Sequence, residues 1–495
     1  MGSKVRYVVT GQLILESASH FGQGTQGESV DMLLLRDVVS GQPFIPGSSI
    51  AGALRSYAQD YSCGYRSYGG EDPGVVTLFG HVTDENATIS SLAVFDSYAT
   101  QTSSEIRDSV RVDPKTGRAA DHALFQAEVL PRETVFGLHM ELDVHDPDDE
   151  ADLVGWLICL LEGLERGQVP LGAKKSRGFG KCKARCWRVK RFSLTDKAGW
   201  QQWLALSSRK GGPVLGGKSY EHIGDVFSDC MPGLEVKLPE DRRHRAVIGL
   251  DLQLEAGVLV GSPGLGMDSA DVAHIWSGGV PVLPGTSLAG VLRARALRIA
   301  KVVRKERNDA ARWVAEIFGS EAKADSGDSS AAPVIPDRQS PEESLESSML
   351  FVEEGVFQGG TTLQVNRIKV DRFTGGVMEN HLFDEEPLYR ASLRTSLELR
   401  MPYFEKEDKS MAKLGLLLLC VKDLLDGDLP VGGTSSVGRG YFEGGKALVR
   451  WQSNGEIQDY GIAFGETCNP DAARFFNEAV AQFCRADSIS DKEGE

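Results

Sequence analysis

Residues 45–55 read IPGSSIAGALR, and residues 283–293 read LPGTSLAGVLR. In both stretches an apolar strand ends at a Pro-Gly break, and two hydroxyl residues follow it. A helical pattern then begins, with a glycine near its start and an arginine one turn later. Two stretches that match in this detail predict two copies of one fold.

The repetition extends well beyond this element. Further blocks match in the same order, with separations of 238 between Pro46 and Pro284 and 258 between Val112 and Val370. Most of this change falls after Gly319, where residues 320–349 are rich in Ser, Asp, Glu and Pro. Such a composition is typical of a solvated loop, so we expect a flexible insertion in the second copy. A duplication without a shared function is the alternative.

The predicted fold class is α+β, because each copy reads strand–helix–strand–strand–helix–strand, the ferredoxin-like or RRM-like order. Residues 32–45 are expected to form a hairpin, and Ser48 or Ser49 to cap a helix that runs to about Tyr61. The predicted organisation is a first domain at 1–208, a connector at 209–244, a second domain at 245–455 with the 320–349 insertion, and a C-terminal extension at 456–495.

The charge of the chain argues against a nonspecific nucleic-acid-binding protein. Its 495 residues carry a formal net charge of −16, yet basic residues cluster at 174–191 and at 293–305. An acidic protein with local basic tracks is suited to bind nucleic acid in a groove. Apolar runs are too short to cross a membrane, and eight cysteines without zinc spacing predict reduced thiols in a cytoplasmic protein.

Two repeated elements are suited to bind an extended anion. The first N–H groups of a helix are unpaired and attract phosphate, and the hydroxyl residues add donors. A glycine loop follows each copy, at 170–180 and at 430–440, and glycine allows backbone N–H groups to line a concave surface. A plain helix cap without a ligand is the alternative. The candidate anion-binding residues are Ser48, Ser49, Arg55, Lys174, Lys175, Ser176, Arg177, Thr286, Ser287, Arg293, Ser435, Ser436 and Arg439.

Asp31 is the best candidate for a catalytic residue. It lies just before the predicted 32–45 hairpin, in a loop that can face a ligand. A lone aspartate is more often a turn residue, so this reading competes with a structural one. The histidines form no ligand pair, and no serine or cysteine lies in a nucleophile motif.

The Pro-Gly-Ser-Ser element, the Phe-Gly blocks at Phe79 and Phe318, and the glycine loops together resemble the RAMP superfamily. More closely, they resemble the backbone subunits of type III CRISPR–Cas effector complexes, and the duplication resembles the doubled type III-D proteins. The likeness covers nearly the whole chain. It implies RRM-like palms that bind guide RNA, thumb-like hairpins within 99–130 and 352–386, and as partners target RNA, the large subunit and further RAMP subunits.

The resemblance also implies that Asp31 supports metal-dependent cleavage of target RNA, with Mg²⁺ as the expected ion. The RNA's own 2′-hydroxyl would be the nucleophile. In the second copy, counting back from Pro284 favours Asp268 over Asp271. Three hypotheses follow: a guide-RNA scaffold that is also an endoribonuclease, a scaffold without catalysis, and a stand-alone RNA-processing endonuclease. No histidine occupies matching places in both copies, which disfavours the third.

Overall fold

The computed structural model describes residues 4–24, 30–82, 87–112, 119–206, 208–209, 212–213, 215–231, 233–263, 270–303, 307–320, 346–453, 455–463 and 468–485. The elements of the first half are β1 (Val5–Leu15), β2 (Phe44–Ile45), α1 (Gly47–Cys63), α2 (Pro73–Phe79), β3 (His81–Val82), β4 (Ala87–Thr88), β5 (Leu92–Val94), β6 (Ser97–Tyr98), β7 (Glu105–Val112), β8 (Ala119–Val129), β9 (Val135–Val144), α3 (Glu150–Glu165), β10 (Cys182–Ser193), α4 (Lys197–Leu204), β11 (Ser208–Arg209), β12 (Gly212–Pro213) and α5 (Ile223–Cys230).

The second half repeats this order with additions at its end. Its elements are β13 (His244–Leu254), β14 (Gly257–Val258), β15 (Gly261–Pro263), β16 (Val272–His274), β17 (Trp276–Ser277), β18 (Val280–Leu283), α6 (Gly285–Val303), α7 (Arg307–Phe318), β19 (Leu350–Val352), β20 (Gly355–Thr362), β21 (Val365–Val370), β22 (Val377–Glu386), β23 (Leu388–Met401), α8 (Glu407–Leu425), β24 (Phe442–Ser453), β25 (Glu456–Ala463) and α9 (Pro470–Arg485).

The central sheets of the two halves have the same strand order. The first runs β10-β1-β9-β5, and the second contains β24-β13-β23-β19, with every neighbouring pair antiparallel. Helices α1 and α3 pack together in the first half, and α6 and α8 take their places in the second. The predicted α+β class, with two ferredoxin-like units, is confirmed.

The two sheets differ in what covers their second face. In β13, residues alternate between buried and half-exposed, so one face lies on the helices and the other is open. In β1, Val8 is also fully buried, because it packs with Phe192, Leu194 and Leu215 on the face away from α1. The segment around α4 therefore covers the second face of the first sheet.

The segment expected to be a connector contributes to the first core. Ile223, Val226 and Phe227 of α5 are buried in the same cluster as α3. At the other end of the chain, β25 pairs with β24, and α9 packs on α8. Residues 456–485 therefore add a strand and a helix to the second domain.

The described ends of the acidic insertion belong to the second domain. Ser320 N donates to Glu346 O at 2.9 Å, and Met349 is buried with its carbonyl accepting from Arg400 N. Residues 321–345 lie outside the described part of the chain.

The predicted serine cap of α1 is wrong. The cap residue is Pro46, its side chain forms no capping hydrogen bond, and the helix begins at Gly47. Gly47 N donates instead to Asp96 Oδ1 at 2.8 Å. Ser48 and Ser49 lie within the first turn and are exposed to solvent. Across the described residues, no helix is long and apolar enough to span a membrane.

Candidate nucleic-acid interface

A two-stranded hairpin projects from each unit beside its central sheet. Strands β7 and β8 form the first thumb hairpin, and β21 and β22 form the second. Both lie within the ranges in which the sequence predicts excursions from the core. Residues 113–118 of the first hairpin lie outside the described residues.

Asp31 lies at the base of the first thumb hairpin. Its Oδ2 accepts a hydrogen bond from Gln126 N at 2.8 Å, and the next residue, Met32, bridges Ala127 in parallel. The Asp31 side chain is exposed. The carboxylate is therefore held against a thumb strand while it faces solvent.

Asp271 makes the same contact in the second unit. Its Oδ2 accepts a hydrogen bond from Asp384 N at 3.0 Å, and Val272 pairs in parallel with Glu385. Gln126 and Asp384 are separated by 258 positions, the same separation as Val112 and Val370. Asp271 is therefore the structural counterpart of Asp31.

A difference in hairpin length explains why the sequence count favours Asp268. The strand pair before α1 joins Arg36 to Pro43, across six residues, whereas the matching pair Trp276 and Pro281 encloses four. Counting back from Pro284 with the spacing of the first copy therefore overshoots Asp271. Asp268 itself lies outside the described residues.

Each thumb base carries a second carboxylate near the first. Gln126 Nε2 donates to Asp108 Oδ1 at 2.8 Å in the first hairpin. In the second, the matching cross-strand pair is Asn366 and Asp384. The carboxylate lies on the first strand of the first hairpin but on the second strand of the second hairpin, and the amide lies opposite it in each. The offset of 258 relates these pairs, and it was the signal available in the sequence for finding Asp108 and Asp384.

The carboxylates at the thumb bases can bind Mg²⁺ only if another molecule supplies further oxygen ligands. Within the described ranges, no group of three or more His, Cys, Asp or Glu side chains is arranged to hold a metal ion. Mg²⁺ is commonly held by one or two carboxylates together with substrate phosphates and water. An exposed Asp31 or Asp271 fits that mode, in which the RNA completes the coordination.

The first glycine loop (170–180) presents one lysine to solvent. Lys174 adopts a left-handed conformation with φ 54°, and its Nζ lies 4.0 Å from the centre of the Phe125 ring in the thumb hairpin. Lys175 begins the following turn and is exposed. Partial burial lowers the pKa of both lysines, because it disfavours the charged form.

Arg177 contributes to the contact between the two units. Its guanidinium donates to Phe318 O at 2.6 Å, at the end of α7 in the second unit. The backbone beside it is equally close, since a Cβ on Gly178 would lie 2.6 Å from Glu354 N. The first glycine loop therefore docks on the second unit, and Arg177 is engaged in that contact.

The second glycine loop (430–440) has the same backbone but different side chains. Thr434 has φ 57° and takes the place of Lys174, while Val437 takes that of Arg177 and is 55% exposed. Ser435 is half-buried and Ser436 is exposed.

Arg439, one of the predicted anion-binding residues, has a protein partner for its charge. Arg439 is buried and paired with Glu385 Oε2 at 2.5 Å, so it fastens the second glycine loop to the second thumb hairpin. Thr434 and Lys174 are separated by 260 positions, and at that separation the counterpart of Arg439 is Phe179, not Arg177.

A family model matches the chain in two stretches, residues 12–183 and 258–443, and its description is the RAMP superfamily. The two stretches cover well over half of the sequence. The chain belongs to the RAMP superfamily. No curated protein matches the chain at a significant level.

Both matched stretches contain a Pro-Gly helix start, a thumb hairpin and a glycine loop. Each RAMP unit therefore carries a full set of the repeated elements. Membership of this superfamily supports a CRISPR-associated RNA-binding role.

The helix starts of the two RAMP units differ in exposure. Ser48 and Ser49 are exposed, whereas Thr286 and Ser287 are half-buried. A Cβ on Gly285 would meet Arg177 O at 2.6 Å, so the docked first glycine loop covers this second helix start. The open helix start of the first unit is the more accessible of the two.

The arginines that end the repeated motif have structural partners. Arg55 forms a bidentate pair with Glu71, and Arg293 donates to Gly319 O at 2.8 Å. Both contacts tie the long helix of a RAMP unit to the segment that follows it. Of the predicted anion-binding residues, the exposed group comprises Ser48, Ser49, Lys175 and Ser436.

Proposed function

We propose that this chain is a doubled backbone subunit of a cytoplasmic type III CRISPR effector complex of the III-D kind, which binds guide RNA and cleaves complementary target RNA. The observation that carries the proposal is the repeated contact of Asp31 and Asp271 at the two thumb bases. Two exposed carboxylates in one geometry favour one shared chemistry at two positions along an extended RNA.

Guide RNA binding would use the exposed members of the repeated elements. Lys175 and the backbone of the glycine loops would contact phosphates, and Ser48 and Ser49 would add hydroxyl donors. Contacts of this kind fix the position of the strand without reading its sequence.

Cleavage would proceed by attack of a target-RNA 2′-hydroxyl on its own 3′-phosphate. The bond from phosphorus to the 5′-oxygen breaks, giving a 2′,3′-cyclic phosphate and a 5′-hydroxyl. At each thumb, Asp31 or Asp271 would hold one Mg²⁺ together with the RNA, and that ion would neutralise charge on the scissile phosphate. The thumb hairpins would turn a target nucleotide out of the duplex, so that the 2′-hydroxyl comes into line with the leaving oxygen.

Further RAMP subunits would dock at two surfaces that the contact between the two units leaves uncovered. The first glycine loop is covered by the second unit, but a Cβ on Gly438 of the second glycine loop would meet nothing within 4 Å. The matching receptor surface, around Ser48 and β5 of the first unit, is open as well. We place neighbouring RAMP subunits at these two surfaces, and the large subunit among the remaining partners.

A scaffold without catalysis is the second candidate. The hydrogen bond from Gln126 N to Asp31 stabilises the structure, because it holds the first thumb hairpin against the loop that contains Asp31. Under this alternative, loss of the carboxylate would impair RNA binding and not only cleavage.

Asp31→Asn separates the two candidates, since the amide oxygen still accepts from Gln126 N while the charge is lost. We expect target RNA to be bound normally and cleavage at the first thumb to fall by roughly 100-fold. The assay compares cleavage of an end-labelled target by the assembled complex carrying the wild-type chain, Asp31→Asn, Asp31→Ala and Asp271→Asn. Unchanged cleavage at every position in both Asn variants would establish the scaffold alternative.

The second unit has its own matched control. Asp268→Asn and Asp271→Asn remove the same charge three positions apart. We expect only Asp271→Asn to abolish cleavage at the second thumb. Loss in Asp268→Asn alone would contradict the correspondence drawn from the thumb contacts.

A further inference from the structure

A cavity of about 340 Å³ lies at the junction of the two RAMP units. Its floor is the open face of the second sheet, where Val247, Gly249 and Leu448 lie on neighbouring strands. Its opposite wall comes from the first glycine loop, with Lys175 and Phe179. The cavity forms where the loop docks across a sheet face that no helix of the described residues covers.

The walls of this cavity are strongly basic in a chain of net charge −16. Two carboxylates, Glu353 and Glu398, face a larger set of cations. These cations are Arg166, Lys175, Lys181, Arg245, Arg400 and Arg450.

Part of this charge is neutralised by ion pairs, since Arg166 pairs with Glu162, Lys181 with Glu353 and Arg450 with Asp459. Glu398 accepts from Arg245 Nη1 at 2.9 Å and from Arg400 Nη2 at 2.8 Å, so one carboxylate serves two guanidinium groups. The two arginines hold the pKa of Glu398 well below its usual range. This trio keeps one positive charge in excess.

Lys175 supplies a further cation. Among the described residues, no carboxylate forms an ion pair with it; burial and the charge of Arg400 lower its pKa, and the charge of Asp60 opposes them. Cations that repel one another across a cavity are stabilised when an anion lies between them.

We propose that the junction cavity binds a phosphate-bearing ligand of mononucleotide size. Its volume lies in the range of small-ligand sites, and its walls combine apolar side chains with a few convergent cations. Arg400 stacks 3.7 Å from the centre of the Phe351 ring, which orients its guanidinium, the group best matched to phosphate. Two sources can supply this phosphate, a free nucleotide and one residue of a bound RNA, and the experiment below distinguishes them. The proposal does not depend on cleavage by Asp31.

Gly249→Leu tests the cavity by filling it. An added Cβ would meet only Leu448 O, at 3.9 Å, and the backbone is not in a left-handed conformation, so we expect the position to accept a side chain that extends into the cavity. Gly224→Leu is the matched control, because Gly224 lies on the exposed face of α5 with nothing within 4 Å of its Cβ. Lys175→Gln removes the unpaired charge and leaves the cavity open.

The ligands are AMP and inorganic phosphate, measured by titration calorimetry on the full chain, and a labelled single-stranded RNA, measured by anisotropy. We expect AMP to bind the wild type, and Gly249→Leu and Lys175→Gln to weaken it at least about tenfold, with Gly224→Leu unchanged. Weaker AMP binding with unchanged RNA affinity in Gly249→Leu assigns the site to a free nucleotide. A parallel loss of RNA affinity assigns it to an RNA phosphate.

Two results would overturn the proposal. One is AMP binding of equal strength in the wild type and in Gly249→Leu, which would place AMP elsewhere. The other is no binding of AMP or phosphate, together with equal RNA affinity in the two proteins. Circular dichroism of each variant shows that it is folded, and Lys175→Gln keeps the test valid if Gly249→Leu unfolds.

Discussion

Lys175 and Arg439 show how the same kind of side chain takes opposite roles in the two glycine loops. Lys175 is exposed and forms no ion pair within the described residues, whereas Arg439 is buried against Glu385. A cation that is already paired in a dry environment contributes to folding, and one that is unpaired at the surface is available to a ligand.

Replacing each of these two residues by Ala should separate RNA binding from stability. Arg439→Ala leaves Glu385 with Arg367 as its remaining partner, so we expect about 2 kcal/mol of lost stability in urea unfolding. RNA affinity should stay within about twofold of the wild type. Lys175→Ala should leave stability unchanged and weaken RNA binding, with the slope against log salt reduced by about one. The reverse pattern would contradict both assignments.

The titration of Asp60 should make the stability of the protein depend on pH. Burial raises its pKa to about 6, against the opposing charges of Arg400 and Arg243. The folded pKa lies above the unfolded value of about 3.9, so the stabilisation is complete below that value and is lost as pH rises to about 6. Melting temperatures between pH 4 and pH 7 should therefore fall for the wild type relative to Asp60→Asn. Parallel curves for the two proteins would show that Asp60 titrates normally.

At the scale of elements, the glycine loops provide a pair of matched substitutions. Gly178 and Gly438 both have left-handed φ, at 87° and 83°, but only Gly178 is pressed against another unit. Gly438→Ala should cost about 1 kcal/mol, the strain of the backbone alone. Gly178→Ala should cost clearly more in the same urea experiment, because its Cβ would clash with Glu354. Equal losses would mean that the first glycine loop is not docked in solution.

The insertion gives a second prediction at this scale. Ser320 and Glu346 are joined by backbone and side-chain hydrogen bonds, so a short linker is able to replace residues 323–343. We expect that deletion to leave the melting temperature nearly unchanged. Deleting residues 320–349 should lower it by several degrees, since Met349 is buried in the second core. A large drop with the shorter deletion would contradict this division of the segment.

The sequence predicts these elements well wherever a pattern repeats locally. The Pro-Gly helix starts, the glycine loops and the excursions that become thumb hairpins are all visible as matched blocks. Counting from Pro284 favours Asp268 over Asp271 because a two-residue difference inside the 37–42 turn changes the count without changing the fold. The ion pair of Arg439 could not be predicted either, because its partner Glu385 is distant in sequence and is brought close only by the thumb hairpin.

At the scale of the whole molecule, the two RAMP units are alike in sequence but differ in what covers them. The second face of the first sheet lies beneath the segment around α4, and that of the second sheet faces the first glycine loop across a cavity. No sequence pattern marks Arg245 and Arg400, which lie on that open face, as parts of a binding site. Alternating charges on a strand are normally a solvated face, and only the docking of the two units turns them into a cavity wall.

The docked first glycine loop has a consequence for assembly. Because one chain carries both the loop and its receptor, their encounter is intramolecular, and its effective concentration is set by the chain that joins the two units. Dilution does not separate them. The equivalent encounter of the second glycine loop involves another molecule and obeys mass action. A growing complex would thus add this protein as a preassembled pair, with the spacing of its two thumbs fixed before any RNA or partner arrives.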